Sequence, residues 1–227
     1  MKKSYLISNL LLAILILVGD VFYITTDFVW VKAITSVGFV LLGAINLCYL
    51  FKVNAENKKF GVIMLIGLIF ACAGDIALEF IFELGAGLFA IGHIFFFVAY
   101  CSLIKFNWKD LIPFAIIFIP VLLFILLAPI FEFGGIFMEI VCIVYALIIS
   151  VMVGKAISNC VKDRSLLNIV ILIGSILFMF SDLMLLFNNF TNLSRVFLIL
   201  CLATYYPAEI ILAISLLFAK KNLAEVK

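Results

Sequence analysis

Apolar residues recur in eight runs, near 5–24, 28–51, 60–82, 85–104, 111–130, 135–155, 165–187 and 195–219. Each is roughly 20 residues, the helix length that crosses the hydrocarbon core of a bilayer. No water reaches that depth, so every backbone N–H and C=O must pair within its own segment, and helices satisfy this. The expected fold is therefore all-α: a polytopic transmembrane bundle of eight helices, forming a single integral membrane domain over residues 1–227. Composition agrees, since 68% of the residues are hydrophobic and 12% charged. A soluble domain of this size would lack the polar residues to cover so much apolar surface. The first run follows Lys2 and Lys3 as in a signal peptide but has no A-x-A-like cleavage site, so it reads as an anchor.

Glycine, proline and charge mark the joints, and the distribution of the basic residues gives an orientation. Of the 15 Lys and Arg residues, all but Lys32 and Arg195 fall at one side of an alternating eight-pass topology. By the positive-inside rule both termini are then cytoplasmic, and a multi-pass protein of the cell (inner) membrane is expected. The net charge of +2 is too small to argue for a nucleic-acid partner. Cys48, Cys72, Cys101, Cys142, Cys160 and Cys201 include no C-x-x-C pair and read as small packing residues.

Against this background the ionisable residues inside the runs stand out. Asp75 lies in Gly74-Asp75-Ile76-Ala77-Leu78, His93 in Phe89-Ala90-Ile91-Gly92-His93, Asp182 in Phe180-Ser181-Asp182-Leu183, and Glu209 follows Tyr205-Tyr206-Pro207-Ala208. Such groups cost several kcal/mol in lipid unless paired, hydrated or neutralised, and they commonly mark function. With the alternating topology these groups, together with Asp20 and Lys32, converge on one level toward the non-cytoplasmic face, which implies a shared cavity. Residues three, four or seven apart share a helix face. On that spacing Asp75 lies with Glu79, Gly85 with Phe89, Gly92 or His93 and Tyr100, and Tyr205 stacks one turn from Glu209. Gly74-Asp75-x-x-Leu78 in the third run echoes Ser181-Asp182-x-x-Leu185 in the seventh, which suggests a 4+4 parallel repeat.

The order Ala73-Gly74-Asp75, Gly85-x-x-x-Phe89-x-x-Gly92-His93, Gly174-Ser175-x-x-Phe178-Met179-x-Ser181-Asp182 and Thr204-Tyr205-Tyr206 resembles the YhhN family of integral membrane proteins. That family includes lysoplasmalogenases, which hydrolyse the vinyl-ether bond of lysoplasmalogens. Val31-Lys32-Ala33 is similar to the family's Lys-Pro segment, with alanine for proline, and Tyr145 to Met152 is similar to its sixth helix. Glu209 stands where the family commonly has glutamine, which bears on substrate choice. The resemblance implies a lysophospholipid substrate within the bilayer, an ethanolamine or choline lysoplasmalogen, and no cofactor.

The chemistry of that reaction can be set against the residues. A vinyl ether is cleaved by protonation at its β-carbon, after which water captures the oxocarbenium ion and the hemiacetal collapses to a fatty aldehyde and an alcohol. One proton donor and one anion are needed, and two carboxylates in unlike surroundings supply both. Asp75 and Asp182 are the candidate catalytic pair, with roughly 5 to 9 Å expected between their carboxyls. His93, Ser181, Tyr100, Tyr205, Glu209 and Lys32 are candidate supporting or substrate-binding residues, with Lys32 placed to meet a lipid phosphate. Lys32 reads more readily as a snorkelling interfacial lysine and Asp20 as a helix-end charge or the partner of one, and Glu79, Glu83, Glu132 and Glu139 read as loop or interface charges. With one histidine in the chain, a three-histidine zinc site is excluded, and no metal is implied. Two rivals remain open: a proton- or cation-coupled small-molecule transporter using the same acids, expected to show helix breaks at the midplane, and a non-catalytic lipid-binding protein.

Overall fold

A computed structural model of the chain describes residues 3–53 and 55–219. Among the described residues there are eight long helices and no strand: α1 Lys3–Thr26, α2 Val29–Lys52, α3 Lys58–Leu78, α4 Phe82–Leu103, α5 Leu111–Leu127, α6 Ile136–Lys162, α7 Leu166–Phe190 and α8 Val196–Ser215. Single 3-10 turns precede α5 at Trp108–Asp110 and follow α8 at Leu216–Phe218. All eight helices are long and apolar enough to span a membrane.

α8 is central, packing on α7, α2, α1 and α3, while α3 and α4 form the tightest hairpin. α5 lies at the periphery and buries only Ile125 from its own length. The pairings α1–α2, α2–α3, α3–α4 and α2–α8 have counterparts four helices on, in α5–α6, α6–α7, α7–α8 and α4–α6. The α3–α4 hairpin shows why small residues sit where they do. A Cβ on Gly85 would lie 2.7 Å from the Leu78 backbone nitrogen, and one on Gly92 would lie 3.2 Å from the Gly67 carbonyl oxygen. Helix backbones approach that closely only where side chains are absent.

Among the boundaries that differ from the sequence reading are the ends of the third and sixth runs. The third run, expected to reach 82, ends at Leu78, because the N–H groups of Phe80 and Ile81 both donate to the Ala77 carbonyl and turn the chain into α4. The sixth run, expected to end at 155, continues as helix to Lys162. Lys155, counted as a loop cation, is instead buried inside α6. Its ammonium donates to Asp110 Oδ2 at 2.7 Å, and Ser158 and Lys162 close on the other oxygen of the same carboxylate. A paired lysine can be carried inside a helix bundle, whereas an unpaired one cannot. Lys2, Lys220, Lys221 and Lys227 lie outside the described residues.

The helix ends sort the charges. Lys52, Lys58, Lys59, Lys105, Lys109, Lys162 and Arg164 lie at one end of the bundle, set by the α2–α3, α4–α5 and α6–α7 joints. Asp75, Glu79, Lys32 and Asp182 belong to the other half. There the α1–α2 joint is pinned by Asp27, whose φ of 54° is left-handed and whose carboxylate takes both Arg195 contacts at 2.7 Å.

Candidate functional site

Asp75 lies three residues before the end of α3, on the face turned toward α2 and α8. Its Oδ2 accepts hydrogen bonds from Ser36 Oγ at 2.6 Å and from the Tyr205 hydroxyl at 2.7 Å. Ser36 lies one turn beyond Lys32 on α2, and its Oγ is also 3.2 Å from the Tyr206 hydroxyl. The paired tyrosines of α8 thus support Asp75, one directly and one through Ser36.

Asp182 lies eight residues before the end of α7, facing α4 and α6. Its Oδ2 accepts from the Tyr145 hydroxyl at 2.7 Å and lies 3.2 Å from His93 Nε2, which is itself 2.9 Å from the Tyr145 oxygen. These three groups form a closed triangle, with the histidine fully buried behind the carboxylate. Both aspartates take every hydrogen bond on Oδ2. Among the described residues neither Oδ1 has a partner, and neither is occluded. Each carboxyl therefore keeps one oxygen for a ligand or water.

Between the two clusters lies an aromatic brace. The Phe178 ring is 4.6 Å from the His93 ring and 5.3 Å from that of Tyr205, and Phe89 meets Tyr205 at 5.8 Å, all in edge-to-face geometry. Such contacts fix ring orientation as well as filling space. They tie the support of Asp182 to the support of Asp75.

Asp75 and Asp182 line the same cavity, of about 160 Å³. Its rim carries Tyr23, Lys32, Glu79, Asn188 and Asn189, and its floor Phe89, Ser181, Cys201 and Tyr205. Lys32 Nζ donates to Glu79 Oε1 at 2.6 Å, and the Tyr23 hydroxyl donates to the same oxygen at 2.9 Å. A second cavity of about 240 Å³ runs between α4, α5, α6 and α7 and is lined almost wholly by apolar side chains. Phe82, Asp182 and Leu185 border both. Along α7 the second cavity extends from Phe190 to Ile176, about 21 Å at 1.5 Å per residue.

The sequence-expected residues divide accordingly. Asp75, Asp182, Lys32, Ser181 and Tyr205 line the shared cavity, and His93 stands behind Asp182. Glu209 is fully buried one turn from Tyr205 and lines neither cavity, and neither of its carboxylate oxygens has a hydrogen-bond partner among the described residues. Tyr100 is placed elsewhere: its hydroxyl meets Ser175 Oγ at 2.9 Å, and its carbonyl accepts from Asn159. Asp20 is buried without lining either cavity.

Glu79, read from sequence as an interface charge, is instead a wall of the cavity, paired with Lys32 and Tyr23. Its spacing of four from Asp75 was the available signal. Ser36, Tyr23, Tyr145 and Tyr206 join the site only through the tertiary packing. Tyr145 is the one tyrosine of the apolar helix α6, and Ser36 shares the face of Lys32. Among the described residues no group of three His, Cys, Asp or Glu is arranged to hold a metal ion.

Comparison with known proteins gives one match. The family model described as the YhhN family matches residues 33–216, a span that holds both aspartates, His93, Glu79 and the Tyr205–Tyr206 pair and begins one residue after Lys32. No curated protein and no solved structure matches the chain.

Proposed function

Because the chain belongs to the YhhN family, which is associated with lysoplasmalogenase activity, we propose that it hydrolyses the vinyl-ether bond of a lysoplasmalogen within the membrane. The observation that carries this reading is the shared cavity. Two carboxylates from helices far apart in sequence line one polar space, and one of them also borders an apolar cavity suited to a hydrocarbon chain.

The lipid lies with its chain in the apolar cavity and its glycerol and head group in the polar one, so the vinyl ether crosses the common wall at Asp182. Asp182 donates a proton to the β-carbon, and the double-bond electrons shift to leave an oxygen-stabilised cation. Water adds to that cation and passes its proton to Asp75. The hemiacetal then collapses: the bond to the glycerol oxygen breaks, that oxygen takes the proton from Asp75, and the hemiacetal hydroxyl returns its proton to Asp182. Products are a fatty aldehyde and a glycerophospho-alcohol, and both carboxyls regain their starting states. The hydroxyls of Tyr205 and Tyr145 and the ring of His93 hold the two carboxylates in register, a supporting role that fixes geometry before reaction.

The same reading places both termini in the cytoplasm, supported by the lysines at the end of the bundle opposite the cavities. It includes a 4+4 repeat, supported by the recurrence of helix pairings. The transporter alternative is less well supported, since α3, α7 and α8 run unbroken through Gly74, Gly174 and Pro207. The test is aldehyde release from a lysoplasmalogen by purified protein, comparing wild type with Asp75→Asn and Asp182→Asn. Both variants are expected to lose activity while remaining folded. Retained turnover in either refutes the carboxylate pair, and proton movement in liposomes without aldehyde favours transport.

A further inference from the structure

At the cavity rim the Lys32–Glu79 pair is only partly used. Its side chains are 9% and 18% exposed, so it is neither a solvated surface pair nor a sealed internal one. Glu79 Oε1 takes both Lys32 and Tyr23, while Oε2 takes no hydrogen bond among the described residues and is not occluded. An ammonium has three N–H donors; among the described residues only one from Lys32 has a hydrogen-bond acceptor, and the ammonium also lies 5.6 Å from the centre of the Tyr23 ring. The pair therefore presents a free carboxylate oxygen beside unused ammonium donors, facing the space that leads to Asp75.

We propose that this pair recognises the head group of a zwitterionic phosphodiester lipid, laid antiparallel to it. The phosphodiester anion takes the free donors of Lys32, and the terminal ammonium takes Glu79 Oε2. This rests on the lysolipid reading of the site and adds the residues that choose the head group. The charge balance of the cavity favours a zwitterion over an anion. The basic and acidic residues lining the cavity are one cation, Lys32, and three acids, Asp75, Glu79 and Asp182, so the anions outnumber the cation even with Asp182 protonated. A phosphate monoester, carrying close to two negative charges at neutral pH, meets a wall of excess like charge. A phosphodiester with a terminal ammonium adds no net charge and completes a four-charge ring. The order along the bundle also fits. Glu79 lies at the end of α3, Asp75 about 6 Å deeper at 1.5 Å per residue, and the apolar cavity begins at the wall Asp182 shares, so head group, scissile bond and chain follow in sequence.

The experiment measures binding with two probes that cannot be cleaved, a saturated lyso-alkylglycerophosphoethanolamine and the corresponding lyso-alkylglycerophosphate. Wild type is expected to favour the zwitterion by about tenfold in Kd, and Glu79→Gln to bring the two within about threefold. A charge-swapped double variant, Lys32→Glu with Glu79→Lys, restores the ion pair and the Tm but not the preference, and carries the test if the single variant does not fold. Equal binding of the two probes by wild type, an unchanged preference in Glu79→Gln, or its recovery in the swapped protein overturns the proposal. Aldehyde release from a vinyl-ether lipid is scored separately. A protein that prefers the zwitterion but releases no aldehyde sinks the hydrolase reading and leaves the head-group site standing. One that releases aldehyde with no head-group preference sinks only the latter.

Discussion

Tyr145→Phe and Tyr100→Phe delete the same atom from a partly buried and a fully buried tyrosine of the same bundle, and the structure separates their consequences. The Tyr145 hydroxyl donates to Asp182 Oδ2 at 2.7 Å, a bond that becomes charge-assisted once Asp182 gives up its proton in the proposed reaction. The Tyr100 hydroxyl meets Ser175 Oγ at 2.9 Å, a neutral pair lining neither cavity. A hydrogen bond to a charged group contributes about 1.5–3 kcal/mol and a neutral one about 1. At about 1.4 kcal/mol per decade of rate, loss of the Tyr145 hydroxyl lowers kcat roughly 10- to 150-fold if Asp182 depends on it through the reaction. KM changes little, because phenylalanine keeps the ring with which Tyr145 lines the apolar cavity. His93 Nε2 stays within 3.2 Å of the carboxylate, so Asp182 is not abandoned and the protein folds. Tyr100→Phe removes about 1 kcal/mol of stability through Ser175, read as a lower Tm, but leaves kcat within about twofold. The assay is aldehyde release at saturating lysoplasmalogen, with Tm measured on the same samples. Equal losses of activity in the two variants, or none in Tyr145→Phe, refute the argument that hydrogen bonding to Asp182 is specifically catalytic.

Two further perturbations test the cavities and the frame. Ala146→Phe projects a ring into the apolar cavity, which Ala146 lines; KM for long-chain lysoplasmalogens rises at least about tenfold while a short-chain substrate is little affected, as a chain-length series will read. Asp110→Asn strips the charge partner from buried Lys155, whose side chain is 1% exposed. Removing one member of a buried pair costs about 3–5 kcal/mol, so Tm falls steeply while turnover per folded molecule, at the far end of the bundle, is unchanged.

Much of this arrangement is legible in the chain itself. Eight apolar runs dictate eight helices, because lipid offers no partner for an unpaired backbone group. Asp75 and Asp182 are conspicuous for the same reason, since an acid in such a run needs an explanation. Which groups answer them is a different matter. Ser36, Tyr145 and Tyr206 look ordinary in a sequence where hydroxyl residues are scattered along many helices. Only the packing of α2 and α8 on α3, and of α4 and α6 on α7, brings them within 2.6 to 3.2 Å of an aspartate or of each other. Glu79 and Lys155 depart from the sequence reading for one cause: a charge near the end of an apolar run reads as interfacial, and burial depends on a partner from a distant helix. Hydropathy and spacing act along one chain and fix what crosses the membrane. Pairing acts between chains of side chains brought together from different helices, so the tertiary fold alone decides which polar group is a wall of the cavity, which is its support, and which, like Tyr100, belongs to the scaffold.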